Sequence, residues 1–156
     1  MDTIDGLPLH PLIVHLVVVV VPLAALAVVV AALWPRARAW MGPMPTILAL
    51  IGLIVTPIAT TAGENFQERL GLSSPAVDEH TSAGDVVIVG TGCLFGAAAL
   101  LYLIGVPLVT ERLKLPPSVV AVLDVVARIL GIVAAIVAVY LVFRAGDTGA
   151  RAVWGA

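Results

Sequence analysis

The chain has 156 residues, of which 61% are hydrophobic and 12% are charged, and its formal net charge is −2. A soluble domain uses about 45–50% apolar residues with glycine included and about 25% charged residues, whereas the 14 glycines of this chain come on top of the 61%. Composition therefore excludes a soluble globular protein. The eight Lys and Arg residues are too few and too scattered to neutralise a row of phosphates, which excludes nucleic acid as a partner.

Four apolar runs, each long enough to cross a hydrocarbon layer about 30 Å thick, follow one another along the chain. They predict membrane spans at about residues 11–34, 46–63, 86–109 and 119–143. Within lipid, each backbone group has to form its hydrogen bond inside its own segment, which favours helices over strands. We therefore predict an all-α fold: one integral membrane domain over residues 1–156, built as a bundle of four transmembrane helices. No internal repeat is visible in the sequence.

The basic residues of the connections predict the orientation of this bundle. Arg36 and Arg38 lie between the first and second spans, and Arg112 and Lys114 lie between the third and fourth. Short loops rich in Lys and Arg stay in the cytoplasm. The N-terminus, the second connection and the C-terminal tail are then outside, so we expect an N-out, C-out topology.

The second connection, of about 22 residues, is the longest, and loops of this length are usually functional or disordered. Ser74 and Pro75 are typical of an N-cap and the first residue of a helix. Asp78 and Glu79 follow close to the first turn, where the helix dipole favours acids. We therefore expect a short helix inside this connection, leading into the third span.

All three histidines fall on the outer side of the expected topology: His10 at the start of the first span, His15 about one turn further in, and His80 before the third span. Imidazole at membrane depth is costly and tends to face a partner or a cavity. One candidate cofactor is a haem b held by an axial pair such as His15 and His80. The other is a divalent metal ion held by two or three histidines and a carboxylate, for which the candidates are Glu64, Glu79 and Asp85.

A structural interpretation of the histidines stays open beside these two. In it, His10 caps the first span, His15 forms a hydrogen bond with a neighbouring helix, and His80 is solvated among acids. The HExxH and HxxxH spacings of familiar metal sites are absent from the sequence.

Two further pairs stand out inside the spans. Asp124 and Arg128 are four residues apart and can pair along one helix face. The pair could relay protons or ions, but we favour the simpler interpretation, in which Arg128 extends its head group to the cytoplasmic interface. Gly92 and Gly96 form a GxxxG step that lets another helix approach closely, and we expect it to serve packing inside the bundle rather than a dimer seam.

Four segments resemble a bacterial family of small four-helix membrane proteins catalogued as a domain of unknown function. They are Gly-Leu-Pro-Leu-His-Pro-Leu-Ile-Val-His at 6–15, Ala-Gly-Glu at 62–64, Asp-Glu-His at 78–80 and Gly-Asp-Thr-Gly-Ala-Arg-Ala-Val-Trp-Gly at 146–155. The resemblance implies the bacterial inner membrane, and because similar domains are fused to Rieske iron–sulfur modules it implies proximity to electron transfer. It points to His10, His15, Glu64 and His80, and to the tail around Gly149 and Arg151.

The chain departs from this family pattern at Asp147, where relatives often carry histidine. If that histidine is a ligand in the relatives, a carboxylate replaces it here. The replacement argues against a bis-histidine haem and keeps a mixed histidine and carboxylate metal site open.

Three functions are compatible with these features. The first is a redox or metal-binding protein linked to electron transfer, with its site built from His10, His15, His80 and Glu64. The second is a non-catalytic accessory or assembly subunit that binds respiratory or other membrane complexes, or a second copy of itself, through small-residue helix faces. The third, an ion carrier using Asp124 and Arg128, ranks last because one paired charge makes no continuous path. The sequence contains no recognisable pair of nucleophile and base and no nucleotide-binding loop, so it does not predict an enzyme.

Overall fold

Six helices, four long and two short, make up nearly all of the computed structural model, which describes residues 3–4 and 7–155. Two strands of two residues each precede them and pair antiparallel. In chain order the elements are β1 Thr3–Ile4, β2 Leu7–Pro8, α1 Leu9–Leu33, α2 Pro35–Met41, α3 Met44–Leu70, α4 Pro75–Ile104, α5 Pro107–Arg112 and α6 Pro117–Trp154. The all-α prediction with four spans is confirmed, because α1, α3, α4 and α6 are each long and apolar enough to cross a membrane.

The four long helices form a ring in which neighbours run antiparallel. Helix α1 packs against α3, α3 against α4, α4 against α6, and α6 back against α1. One end of the bundle carries the start of α1, the α3–α4 connection and the end of α6, and we call it the histidine end because His10 and His80 lie there. The opposite end carries α2, α5 and the start of α6, and we call it the arginine end because Arg38 and Arg128 lie there.

The bundle is packed with small side chains inside and large apolar ones outside. Ala24 and Ala138 are fully buried, whereas Leu26 and Ile136 on the same helices are more than 60% exposed. A soluble protein buries its large apolar residues, so this inverted arrangement fits an exterior that faces lipid. The small interior residues let the helices approach closely, as they do in membrane bundles.

The prediction of a long connection between the second and third spans is wrong. Helix α3 continues through polar residues to Leu70, and α4 begins at Pro75, so residues 71–74 alone join them. Ser74 does cap a helix, since its Oγ accepts a hydrogen bond from the Val77 amide over 3.3 Å. That helix is not a separate short one, however, because it runs without a break into the third span.

Gly71 makes the tight turn possible. Its φ of 61° lies in the left-handed region, which a residue without a Cβ adopts at no steric cost. The Gly71 and Leu72 amides then bond back to the carbonyls of Glu68 and Gln67, closing α3 as a C-terminal glycine cap. The polar ends of α3 and α4 are thereby held side by side.

The arginine end contains two short helices that the sequence analysis did not predict. Both α2 and α5 begin at a proline, Pro35 and Pro107, which suits the first position of a helix because its missing amide is not needed there. Pro107 also explains why the third span ends at Ile104 and not at residue 109. The fourth span is longer than expected, since α6 continues to Trp154.

Close packing uses other glycines than the expected GxxxG step. Gly96 is exposed, and no atom comes within 4 Å of the place its Cβ would take, while Gly92 has only Leu53 at 3.9 Å. Gly90 on the same helix is buried, and a Cβ there would lie 2.7 Å from Leu141 Cδ1 of α6. The tight contact inside the bundle is therefore made by Gly90, while Gly96 points outward and Gly92 is half-buried beside α3.

Candidate functional site

A cavity of about 400 Å³ opens at the histidine end, enclosed by all four long helices. This volume falls in the range of small-molecule and cofactor sites. Most of its wall is apolar, contributed by residues such as Val14, Val17, Val87 and Val142. The imidazoles of His10 on α1 and His80 on α4 are part of this otherwise mostly apolar lining.

His10 is held against α3. It is half-buried near the start of α1, and its Nδ1 lies 2.9 Å from the carbonyl oxygen of Ala59. Its ring also stacks on Phe66, with centroids 6.5 Å apart and planes 18° from parallel. The prediction that His10 lies at the mouth of the first span is confirmed, and its partner is a backbone carbonyl of the neighbouring helix.

His80 is held in the same way against α6. It is half-buried in the first part of α4, and its Nδ1 lies 3.1 Å from the carbonyl oxygen of Ala145 and 3.4 Å from Thr148 Oγ1. The Thr148 hydroxyl is itself within bonding distance of the Arg144 and Ala145 carbonyls. The structural interpretation of the sequence placed His80 in solvent among acids. The structure instead places it half-buried against α6.

These contacts fix which nitrogen carries the proton in each ring. A carbonyl oxygen can only accept, so Nδ1 of His10 and Nδ1 of His80 must donate. A neutral imidazole then keeps its lone pair on Nε2, and no side chain or backbone group among the described residues bonds to either Nε2. The two ring centroids are 6.2 Å apart, with the planes at 73°. Two imidazoles with free lone pairs are thus brought together across the bundle.

Two glycines, both in segments that carry the family resemblance, make this arrangement possible. A Cβ at Gly63 would lie 2.8 Å from His10 Cε1, and a Cβ at Gly149 would lie 2.9 Å from His80 Cε1. Real Cβ atoms do not come so close to another atom, so each ring occupies space that only glycine leaves. Gly63 and Gly149 each lie four residues after the carbonyl that holds the ring, a relation that becomes visible only once the structure identifies the two carbonyls.

The other predicted ligands do not join this pair. His15 lines the edge of the cavity but is exposed, and its Nδ1 bonds to Pro11 of its own helix. Glu64 also lines the cavity with an exposed side chain. Asp147, the carboxylate considered as a ligand of a mixed metal site, forms an exposed ion pair with Arg151 over 3.0 Å. Across residues 3–4 and 7–155, no three His, Cys, Asp or Glu side chains are grouped as metal ligands.

The arginine end carries a second polar cluster, the Arg38–Asp124–Arg128 triad. Arg128 Nε lies 2.8 Å from Asp124 Oδ2, as the spacing in the sequence predicts. Arg38 adds a contact the sequence analysis missed, since its Nη1 lies 2.6 Å from Asp124 Oδ1. The three side chains are only 19–30% exposed. The triad ties the connection after α1 to α6.

Comparison with known proteins identifies the family. Residues 6–156 match the family described as Predicted membrane protein (DUF2231). The chain belongs to this family, whose function is unknown. The comparison with curated proteins and the comparison with solved structures found no match.

Proposed function

We propose that this protein binds a haem b in the cavity at the histidine end, with His10 and His80 as axial ligands, and that it serves electron transfer in the bacterial inner membrane. One observation carries the proposal. Both imidazoles donate Nδ1–H to a backbone carbonyl, and neither Nε2 has a bonding partner among the described residues. A histidine that ligates a metal is typically held by such a hydrogen bond, which fixes its tautomer and raises its basicity.

The separation of the two rings supports a single metal ion between them. A bond of about 2.0–2.1 Å from each Nε2 to a metal ion, and roughly 1 Å from each Nε2 to its ring centroid, place the centroids of two opposed imidazoles about 6 Å apart. The centroids of His10 and His80 are 6.2 Å apart. The spacing of the rings therefore suits two opposed ligands of one ion.

The ligand count favours haem over a bare divalent ion. A structural zinc site needs four protein ligands and a catalytic one three, whereas a haem iron needs only axial ligands from the protein. Two histidines and a cavity of about 400 Å³ with apolar walls match the second requirement. His15, Glu64 and Asp147, which a mixed metal site would use, are all exposed.

When bound, the haem would supply one-electron chemistry, and the protein would set its potential through the axial ligands and their surroundings. The Ala59 and Ala145 carbonyls would increase electron donation by the two imidazoles. The valines of the cavity wall would exclude water from the ring faces. Lipid contact by the surrounding helices would keep this centre at the edge of the hydrocarbon layer.

An absorption spectrum of the detergent-purified protein, recorded with and without dithionite, tests the proposal. We expect a Soret band and a sharp reduced α band, with haem close to one per chain. His10→Ala and His80→Ala should each abolish the six-coordinate spectrum. His15→Ala is the matched control, since it removes an imidazole from the same helix and cavity edge and should leave the spectrum unchanged.

A wild-type protein that takes up no haem, even when haem is supplied during expression, would contradict the proposal. The second candidate, an accessory subunit, would then gain support. It is favoured by the outward-facing Gly96, above which no atom comes within 4 Å, since another transmembrane helix can approach closely there. A native membrane complex that dissociates on Gly96→Leu, together with absent haem, would favour this candidate.

A further inference from the structure

The bundle is built from two halves in which the helices follow the same order, although the sequence shows no repeat. In the first half a long helix, a short one beginning at proline and a second long one follow each other as α1, α2 and α3, and the same order returns as α4, α5 and α6. Helices α1 and α4 both run from the histidine end to the arginine end. The contacts agree with this division, because α1 packs on α6 as α3 packs on α4.

The two histidines occupy equivalent places in these halves. His10 lies 23 residues before Leu33, the last residue of α1, and His80 lies 24 residues before Ile104, the last residue of α4. At a rise of about 1.5 Å per residue, the two positions differ by a single residue in depth.

Each histidine is held by the second long helix of its own half, through the same local device. In the first half the ring of His10 bonds to the Ala59 carbonyl and lies on Gly63. In the second half the ring of His80 bonds to the Ala145 carbonyl and lies on Gly149. A helical carbonyl and the residue four positions later lie on one face of the helix. The glycine therefore clears the place from which the ring reaches the carbonyl.

We propose that Gly63 and Gly149 are positioning residues of a pseudo-symmetric site, in which each half of the bundle supplies one imidazole–carbonyl–glycine unit and the bound group is held equivalently by both. This inference rests on the proposed function for the identity of the bound group. The arrangement of the two units is independent of that identity, since it follows from the contacts of the rings alone. The surroundings of the two rings differ, since the Phe66 ring lies beside His10 and the Thr148 hydroxyl lies beside His80.

Alanine substitutions at the two glycines test the inference. In Gly63→Ala the new methyl group displaces the His10 ring, and in Gly149→Ala it displaces the His80 ring. We expect each variant to change the six-coordinate low-spin haem spectrum to a five-coordinate high-spin one and to weaken haem retention at least tenfold. Added imidazole should restore the low-spin spectrum, because it replaces a displaced ligand.

Two glycines of α4 that do not line the cavity serve as matched controls. Gly96 has no atom within 4 Å of its Cβ position, and Gly92 has only Leu53 Cδ1 at an ordinary 3.9 Å. Gly96→Ala and Gly92→Ala should keep the wild-type spectrum. An equal loss in the controls, or a loss in one test variant but not in the other, would overturn the inference.

A second measurement separates this inference from the proposed function. In haem-free protein with ¹⁵N-labelled histidine, NMR shifts distinguish a ring protonated on Nδ1 from one protonated on Nε2. We expect Nδ1–H at both His10 and His80, lost at His10 alone in Gly63→Ala and at His80 alone in Gly149→Ala. Unchanged tautomers in both variants would refute the positioning role whether or not the protein binds haem. If the tautomers change as expected but the wild-type protein takes up no haem when haem is supplied, only the proposed function is refuted.

If a glycine variant fails to fold, a double substitution shows whether the clash with the histidine ring is the cause. His10→Ala with Gly63→Ala removes the ring that meets the new methyl group, so assembly should return. If the double variant still fails, Gly63 serves helix packing and the positioning role is wrong.

Discussion

The two ends of the bundle treat their polar groups in opposite ways. At the arginine end, both oxygens of Asp124 are used, one by Arg38 and one by Arg128, and the neighbouring cavity holds only about 10 Å³. At the histidine end, each imidazole is bonded through one nitrogen, and about 400 Å³ of open space adjoins the pair.

The polar groups of the triad at the arginine end satisfy one another, whereas the histidine pair can still bind a ligand. The triad has matched donors and acceptors and almost no space beside it, so we interpret it as a tie between parts of the protein. At the histidine end, by contrast, neither Nε2 has a bonding partner among the described residues, so this pair can still take a ligand. The comparison predicts that changes at the arginine end affect stability more, and that changes at the histidine end affect binding more.

The largest expected effect concerns the side of the membrane that each end faces. We expect the arginine end in the cytoplasm, so a reporter fused after Ala156 should read as periplasmic. Arg36→Gln, Arg112→Gln and Lys114→Gln together should move part of the population to the opposite orientation, because they remove exposed positive charges from the short loops.

Arg38 is left unchanged in that variant, since its removal would also break the triad. Arg151→Gln, at the histidine end, is the control and should leave the orientation as it is. A cytoplasmic reading from the unmodified protein would contradict the orientation and exchange the locations of the two ends.

The next effect is on the free energy of unfolding. Asp124→Asn leaves two partly buried arginines without their carboxylate, and we expect a loss of about 2 kcal/mol, within the range for charged hydrogen bonds. Asp147→Asn is the matched control, because Asp147 also pairs with an arginine four residues later but is 45% exposed. Exposed pairs are worth about 0–1 kcal/mol.

Equilibrium unfolding in mixed detergent and SDS micelles measures both variants. Haem content should stay at the wild-type level in Asp124→Asn while the protein is folded. Equal losses of stability in the two variants would show that burial of the triad adds nothing.

The smallest effect is expected from removing an imidazole in haem-free protein. His80→Ala deletes one neutral interhelical hydrogen bond, so we expect the free energy of unfolding to fall by about 1 kcal/mol, less than in Asp124→Asn. His15→Ala, which removes an exposed ring bonded within its own helix, should change it less still. A loss in His80→Ala larger than that in Asp124→Asn would reverse the comparison between the two ends.

The features that depend on local sequence could be predicted. Apolar length gave the four spans, Ser74 and Pro75 gave the start of a helix, and the spacing of Asp124 and Arg128 gave their pairing. The length of α3 and α4 was missed because hydropathy reports the part of a helix that lipid covers, and a helix continues into water wherever its ends are capped and packed.

The candidate site was only partly visible in the sequence. The expected topology gathered the three histidines at one end, but it could not separate His15, which bonds within its own helix, from His10 and His80. The missing information was tertiary. Ala59 and Ala145 hold the rings through backbone carbonyls that no side-chain motif reveals, and Arg38 reaches Asp124 across 86 residues of sequence.

The length of α6 links the two ends mechanically. At about 1.5 Å per residue its 38 residues extend about 57 Å, nearly twice the hydrocarbon thickness of about 30 Å, and they form one continuous helix. The same helix bears Asp124 near one end and the Ala145 carbonyl near the other. Any movement of α6 along its axis that loosens the salt bridges of Asp124 must therefore also shift the Ala145 carbonyl that holds the His80 ring.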